Sequence, residues 1–156
     1  MNKRDGYENK RIENKVDVIA YLDNLQYALR DDQTRITFQQ ERRVDESRSL
    51  KHTNRYTMLT LFPDEDEVGV LKRELHNLKV EEYVETVKDK RFKNRSEMRV
   101  FARQYADENV YIKIRVELLD VVFASGGHTV FVMSFHFAEE KFTKDDFPHR
   151  KPGCVK

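Results

Sequence analysis

The chain has 156 residues, which is enough for one domain with a buried core and too few to expect two. Its 29 Lys and Arg residues against 28 Asp and Glu leave a formal charge of +1, so the overall charge gives no sign of a nucleic-acid partner. Charged residues make up 37% and hydrophobic residues 38%, and seven tyrosines with ten phenylalanines argue against a disordered chain.

The sequence contains no sign of export or of membrane insertion. Its first residues are polar with no apolar run behind them, and no segment approaches the ~20 apolar residues of a membrane-spanning helix. The one cysteine, Cys154, cannot form a disulfide within the chain, and no cysteines and histidines have zinc-site spacing. These features predict a cytoplasmic protein with no membrane contact, no metal and no cofactor.

The first predicted element is an amphipathic helix over residues 12–30. Its apolar residues recur at steps of three and four: Ile12, Val16, Ile19, Leu22, Leu25 and Leu29. Residues 35–43 are a candidate strand, and the polar residues 43–54 are predicted to form a loop. Residues 55–62, RYTMLTLF, are rich in β-branched and aromatic side chains and predict a strand.

A second helix is predicted after Pro63. The acidic run Asp64–Glu67 suits a first helical turn, where the helix dipole favours negative charge. The stripe expected to be buried comprises Val68, Leu71, Leu75 and Leu78. Residues 79–95 are highly charged, and their pattern does not distinguish a loop from an irregular strand.

Three strands are predicted to close the domain, at about 97–105, 109–119 and 129–138. Residues 106–109 and 125–127 supply turns between them. The residues from 143 onwards lack periodicity, so we expect a single domain over 1–147 and a flexible tail at 148–156. The order of elements predicts an α+β fold with helices packed on one face of an antiparallel sheet.

Alternation along these three strands assigns their side chains to two faces. The residues expected to face the core are Met98, Val100, Ala102, Val110, Ile112, Ile114, Val116, Leu118, Phe131, Met133, Phe135 and Phe137. The opposite face is expected to hold Phe101, Val130, Val132 and one polar set: Arg99, Arg103, Tyr105, Tyr111, Lys113, Arg115, Ser134 and His136.

The polar set contains what metal-independent RNA cleavage requires. A base must take the proton of the 2′-hydroxyl, cations must stabilise the phosphorane, and an acid must protonate the leaving 5′-oxygen. The segment 88–103 adds cations for phosphate binding: Lys88, Lys90, Arg91, Lys93, Arg95, Arg99 and Arg103. An ordinary solvent-exposed sheet face carries similar residues, and alternation alone favours that simpler interpretation.

Four short motifs resemble the toxins of bacterial toxin–antitoxin pairs of the MqsR/RelE kind, and most of all an MqsR-like Gram-positive branch. They are VEEY at Val80–Tyr83, VFAR at Val100–Arg103, YIK at Tyr111–Lys113 and SFHFAE at Ser134–Glu139. The resemblance covers about residues 78–147. Ala102 stands where the family commonly has glycine, and Arg103 replaces a lysine.

The resemblance implies a small RNase-like fold with a curved sheet, metal-independent cleavage of mRNA, and a cognate antitoxin protein as partner. It leaves ribosome dependence open. The catalytic residues would be Tyr111, Lys113, His136 and Arg103. Lys113 and Arg103 would stabilise the phosphorane, and His136 would act as general acid or base. Tyr111 would position or protonate the substrate. The expected RNA-binding residues are Arg99, Arg115, Tyr105, Lys141, Lys90 and Arg91.

Two other functions compete with cleavage. The same basic face suits a non-enzymatic module that binds RNA or regulates through a protein interaction. A purely structural interpretation treats the phenylalanine-rich strand and the tyrosines as core, and it predicts no salt-dependent affinity for RNA.

Overall fold

The computed structural model describes residues 8–38, 52–91, 96–118 and 128–150. In that part of the chain the helices are α1 (Lys15–Arg30), α2 (Asn54–Leu61) and α3 (Glu67–His76). The strands are β1 (Glu8–Arg11), β2 (Arg35–Phe38), β3 (Tyr83–Asp89), β4 (Met98–Tyr105), β5 (Glu108–Glu117) and β6 (Thr129–Phe137). Short 3-10 turns lie at Val80–Glu82 and Lys144–Asp146.

The six strands form one curved sheet in the order β1-β3-β4-β5-β6-β2. Every neighbouring pair is antiparallel except β2 and β6, which are parallel. The α+β fold and the three closing strands are confirmed. The sequence did not distinguish a loop from a strand over residues 79–95. This segment contains a 3-10 turn and β3, and residues 92–95 lie outside the described part. Strand β1 was not predicted at all.

The predicted first helix is confirmed, but its buried stripe agrees with the prediction only at Leu22, Leu25 and Leu29. The helix begins at Lys15, because the Asn14 side chain accepts a hydrogen bond from the backbone N–H of Asp17. Its buried residues are Val18, Tyr21, Leu22, Leu25, Ala28 and Leu29. Ile12 and Ile19 are exposed, and Val16 is 74% exposed. Both stripes have helical spacing, so the sequence did not distinguish them.

The predicted strand at 55–62 is wrong, because these residues form helix α2. Thr53 caps the helix by accepting from the N–H of Tyr56 at 3.3 Å. The helix lies along the part of β6 that β2 does not pair. There Asn54 donates to the Met133 carbonyl at 3.0 Å and accepts from the Phe135 N–H at 3.0 Å. A helix with polar groups on its buried side therefore satisfies the open edge of β6.

Helix α3 follows the acidic run as predicted. Asp66 is the N-cap, and its carboxylate accepts from the N–H of Gly69 at 2.9 Å. Leu71 and Leu75 are fully buried, as expected, and Leu78 is buried just beyond the helix. Val68 is exposed, whereas Val70 is buried in its place.

The faces predicted for β4 are inverted. Residues directly opposite each other in a sheet share a face, and Phe101 lies opposite Ile112 while Arg99 lies opposite Ile114. Both isoleucines belong to the core under the helices. Phe101, Arg99, Arg103 and Tyr105 therefore point to the helix-covered face, and Val100 and Ala102 point to the opposite face. Both faces of β4 are largely buried, so alternation had no unique interpretation there.

Strand β6 changes faces at a β-bulge. Lys113 pairs with Ser134, but the next residue, Ile114, pairs with Val132, so Met133 is the extra residue. Beyond the bulge Phe135 and Phe137 face the core as predicted. Before it the prediction is wrong, because Val130 and Val132 lie in the core. Phe131 lies opposite Arg115 and not against the helices. At the end of β5, Leu118 is also exposed, against expectation.

A segment after β6 packs on the face opposite the helices. Phe147 is buried there against Val84, Val87, Val100 and Ala102, with Phe142 beside them. The ordered structure continues past the predicted boundary at 147, since His149 stacks on Tyr83 with centroids 5.5 Å apart and Arg150 lies over Phe147. Within the tail predicted at 148–156, His149 and Arg150 thus pack against the domain, and 151–156 lie outside the described part. Among the described helices, none is long and apolar enough to cross a membrane.

Candidate functional site

Three of the predicted site residues, Tyr111, Lys113 and His136, lie together with Ser134 on the face opposite the helices. Tyr111 lies directly opposite His136, and Lys113 lies directly opposite Ser134, on the neighbouring strands β5 and β6. The two pairs are one alternation step apart, so all four side chains share a face. This grouping was predicted and is confirmed. We call these four residues the Tyr111 cluster.

The imidazole of His136 is held in one orientation. Its ring stacks on Tyr111 with centroids 5.4 Å apart and planes at 18°, and it is only 5% exposed. Its Nδ1 lies 3.0 Å from the carbonyl oxygen of Phe137. A hydrogen bond to that oxygen requires the proton on Nδ1, which leaves the lone pair of a neutral ring on Nε2. The ring is therefore oriented as a base through Nε2.

Lys113 supplies a buried cation that is already paired. Its ammonium lies 2.9 Å from the carboxylate of Glu8 on β1, and the residue is 9% exposed. The charge of Lys113 also acts on the carboxylate of Asp89. A hydrogen bond from Arg91 chiefly lowers the pKa of Asp89, and the charge of Lys113 lowers it further. Lys113 thus occupies an anion-binding position whose present anion is a carboxylate of this chain.

The segment after β6 covers the cluster from the solvent side. The Phe142 ring stacks on Tyr111 with centroids 6.5 Å apart and planes at 15°. Phe142 in turn contacts Phe147 at 5.8 Å between centroids. Tyr111 therefore lies between two rings, His136 and Phe142, and the cluster is enclosed and not an open cleft.

Arg99 does not join the Tyr111 cluster, which corrects the predicted face. It lies under α1, where its guanidinium donates to both carboxylate oxygens of Glu13 at 2.8 and 3.2 Å and stacks 4.4 Å from the Tyr21 ring. Thr86 also donates to Glu13. Burial opposes ionisation of Glu13, but the hydrogen bonds from Arg99 and Thr86 hold its pKa below the ordinary value. This is a structural ion pair.

Arg103 and Tyr105 are likewise on the helix-covered face, around the end of α3. Arg103 donates to the backbone carbonyl of Glu74 at 3.2 Å and lies 3.8 Å from the carboxylate of Glu82. The Tyr105 hydroxyl donates to the Glu74 carboxylate at 2.6 Å. Burial raises the pKa of Tyr105. The predicted partnership of Arg103 with Lys113 at one phosphate is wrong, because the sheet separates them.

The remaining predicted RNA-binding cations are dispersed. Arg115 is on the same face as Lys113, paired with Glu117 at 3.3 Å. Lys90 and Arg91 lie in the turn after β3, where Arg91 binds Asp89 at 2.9 Å. Lys141 is exposed on the covering segment. Two further cations of the basic stretch, Lys93 and Arg95, lie outside the described residues.

No three His, Cys, Asp or Glu residues converge as a metal site within the described ranges. The chain has no match among protein-family models, curated proteins or solved structures.

Sequence reasoning missed two residues of the site, Glu8 and Phe142. Glu8 belongs to a strand of four polar and charged residues, ENKR, which carries no strand signal of its own. The burial of Phe142 could have been predicted, because this residue and Phe147 are both aromatic within a segment that is otherwise polar. Aromatic side chains bury large areas, so two of them indicate packing and not a free tail.

Proposed function

We propose that this protein is a metal-independent endoribonuclease of the toxin type, acting on mRNA and held in check by a cognate antitoxin. The observation that supports this best is the Tyr111 cluster, in which an oriented imidazole, a phenol, a hydroxyl and a lysine are paired across β5 and β6. The resemblance of the YIK and SFHFAE motifs to the MqsR/RelE kind of toxin supports the same activity.

The reaction requires one proton to leave and one to arrive. The 2′-oxygen bonds to phosphorus as a base removes its proton, and the bond from phosphorus to the 5′-oxygen breaks as an acid protonates that oxygen. His136 performs the acid or base step through Nε2, since an imidazole nitrogen can both accept and donate a proton. Lys113 stabilises the extra negative charge of the phosphorane, and Tyr111 positions the neighbouring base by stacking.

Two groups of this chain occupy the positions that RNA would take. The Glu8 carboxylate lies on Lys113 where a phosphate oxygen would lie, and the Phe142 ring lies on Tyr111 where a base would stack. Substrate binding therefore exchanges a carboxylate for a phosphate and one aromatic ring for another. Each exchange replaces a contact by one of the same chemical kind, so the free-energy cost of substrate binding stays low.

The direct test is incubation of the purified full chain with single-stranded RNA in EDTA, followed by analysis of the product ends. We expect 2′,3′-cyclic phosphate and 5′-hydroxyl termini, with cleavage lost in His136→Ala and Lys113→Ala. Growth arrest on expression, relieved by the product of a short neighbouring gene, tests the toxin role. Absence of cleavage, or cleavage that both variants retain, would contradict the proposal.

A second candidate is a module that binds RNA or a protein without cleaving it. The enclosure of His136 and Ser134, which are 5% and 1% exposed, favours this candidate, because a catalytic base must contact the hydroxyl it deprotonates. Binding of RNA with no cleavage and no growth arrest would support it.

A further inference from the structure

A second polar site lies beside the Tyr111 cluster, on the same face of the sheet. It is a pocket of about 150 Å³ at the end formed by β5, β6 and β2, lined by Thr37, Arg115, Glu117, Thr129 and Phe131. We call it the Phe131 pocket. Register explains its composition: Phe131 lies between Thr37 on β2 and Arg115 on β5, and Thr129 lies opposite Glu117.

Phe131 reaches this face only because of the bulge at Met133. If Met133 were paired in regular alternation, with no bulge, Phe131 would share the core face with Phe135 and Phe137. β-bulges often re-aim a side chain beside a functional site. Here the result is a large apolar ring, only partly buried, among hydroxyl and charged groups.

The pocket combines a flat stacking surface with one carboxylate. The Arg115 guanidinium lies 4.9 Å from the centre of the Phe131 ring, so a planar cation is held over an aromatic face. The Glu117 carboxylate lies 3.3 Å from Nε of Arg115, and its side chain is 52% exposed. Unpaired nucleobases stack on aromatic rings and on guanidinium planes.

We propose that the Phe131 pocket binds one unpaired base of the RNA, on the same face of the sheet as the phosphate held at Lys113. This inference rests on the proposed function, since it makes RNA the ligand. Lys113 and Arg115 are alternate residues of one strand, so their Cα atoms are about 7 Å apart along β5, and the Lys113 ammonium extends from there towards Glu8 on β1. An RNA strand that follows β5 then contacts Tyr111, Lys113 and Arg115 in turn.

Glu117 gives the pocket a preference among bases. A carboxylate accepts hydrogen bonds and cannot donate them, so it suits a base with an exocyclic amino group. Adenine, cytosine and guanine carry one. Uracil presents two carbonyl oxygens beside a single N–H, and these oxygens repel the carboxylate. The pocket therefore accepts the three amino-bearing bases and disfavours uracil.

The test uses short 2′-O-methyl oligonucleotides of adenosine, cytidine or uridine alone, with the affinity of the full chain measured by fluorescence anisotropy. A methylated 2′-oxygen has no proton to give up, so binding is measured apart from cleavage. We expect the adenosine and cytidine strands to bind about ten-fold more tightly than the uridine strand. Phe131→Leu should weaken binding of the amino-bearing strands about ten-fold, and Phe131→Tyr should retain it.

Glu117→Gln should largely abolish the discrimination against uridine, because an amide can also donate to a carbonyl. Glu108→Gln is the matched control, since it removes the same charge from the other end of β5 and should preserve the discrimination. The inference is overturned if no oligonucleotide binds, if Phe131→Leu binds as tightly as the wild type, or if Glu117→Gln and Glu108→Gln discriminate equally.

A parallel cleavage assay on unmodified RNA separates the two proposals. Selective binding without cleavage would contradict the proposed endoribonuclease activity and support the proposed base-binding pocket. If RNA is cleaved and neither Phe131→Leu nor Glu117→Gln changes the rate or the position of cleavage, the proposed pocket is contradicted and the proposed endoribonuclease activity is supported.

Discussion

Tyr111 and His136 face each other directly across β5 and β6, and their rings are nearly parallel, with centroids 5.4 Å apart. Cross-strand aromatic contact of this kind contributes about 0.5–1.5 kcal/mol beyond the buried area. Together with the Phe137 carbonyl on Nδ1, the Tyr111 ring restricts the imidazole to one orientation. The proposed acid–base group is thus preorganised by the sheet.

Replacement of His136 by alanine should lower the rate of RNA cleavage at least 10²-fold, because it removes the proposed proton-transfer group. Single-turnover rates on a defined single-stranded RNA measure the effect. His149→Ala is the matched control, since His149 also stacks on a tyrosine, Tyr83, and contacts a backbone carbonyl, that of Glu13. Equal rates in the two variants, with both folded by circular dichroism, would contradict the role given to His136.

Replacement of Glu8 by glutamine should raise the affinity for RNA. The change removes the carboxylate that lies 2.9 Å from Lys113 and, in the proposed function, competes there with phosphate. We expect a several-fold gain, because a charge-assisted hydrogen bond is about twice as strong as a neutral one. Titration of labelled RNA against both proteins measures it.

The gain should disappear when Lys113 is also replaced by alanine, because no cation then remains for the phosphate to bind. Glu85→Gln is a useful control, since Glu85 pairs instead with Lys10 at 3.7 Å. A Glu8→Gln protein that binds RNA more weakly than the wild type would count against phosphate binding at Lys113.

Replacement of Phe142 by alanine should speed cleavage by exposing Tyr111. The ring stacks on Tyr111 and shields the cluster, so its removal frees a base-stacking surface. Cleavage rates and the urea unfolding midpoint should be measured together. Phe62→Ala, which removes a ring packed on Tyr105 and Phe135 on the helix-covered face, should lower stability without raising the rate. Acceleration in both variants would indicate a general loosening.

The Glu13–Arg99 ion pair should make stability fall in acid. The pKa of Glu13 in the folded chain is below its ordinary value of 4.5, so the unfolded chain takes up the proton first as the pH falls. The stabilisation is complete above about pH 4.5 and decreases below it, and Glu13→Gln should remove this part of the dependence. Urea unfolding at a series of pH values measures the slope.

Glu74 and Glu97 also have lowered pKa values, so the variant should flatten the acid slope and not abolish it. An unchanged slope in Glu13→Gln would show that the pair with Arg99 contributes nothing to folding.

Strand alternation located the Tyr111 cluster correctly because β5 has one apolar and one polar face, and the bulge of β6 lies just before Ser134, so that Ser134 and His136 alternate regularly. It failed on β4 for a physical reason. Phe101 is buried under the helices while Val100 and Ala102 are buried under the segment of Phe147, so both faces are apolar in effect. With β4 inverted, Arg99, Arg103 and Tyr105 were assigned to a face they do not occupy.

Helix α2 and strand β1 could not be predicted because tertiary contacts decide them. The β-branched residues of 55–62 favour a strand locally, but Asn54 and Thr57 are needed to bond the free edge of β6, and a helix presents them together. The charged residues of β1 form a strand through pairing with β3 alone. Glu8 reaches Lys113 only as a result of that pairing.

The bulge at Met133 makes the assignment of faces on β6 depend on a single residue. If Met133 were instead paired in simple alternation, with no bulge, every side chain from Thr129 to Val132 would change faces. Val130 and Val132 would leave the core for water, and Phe131 would leave Arg115. Deleting Met133, by contrast, would keep these faces, because Val132 and Ser134 would then be consecutive like their partners Ile114 and Lys113. The register between β5 and β6, and not the alternation of β6 by itself, therefore decides which of its side chains are buried.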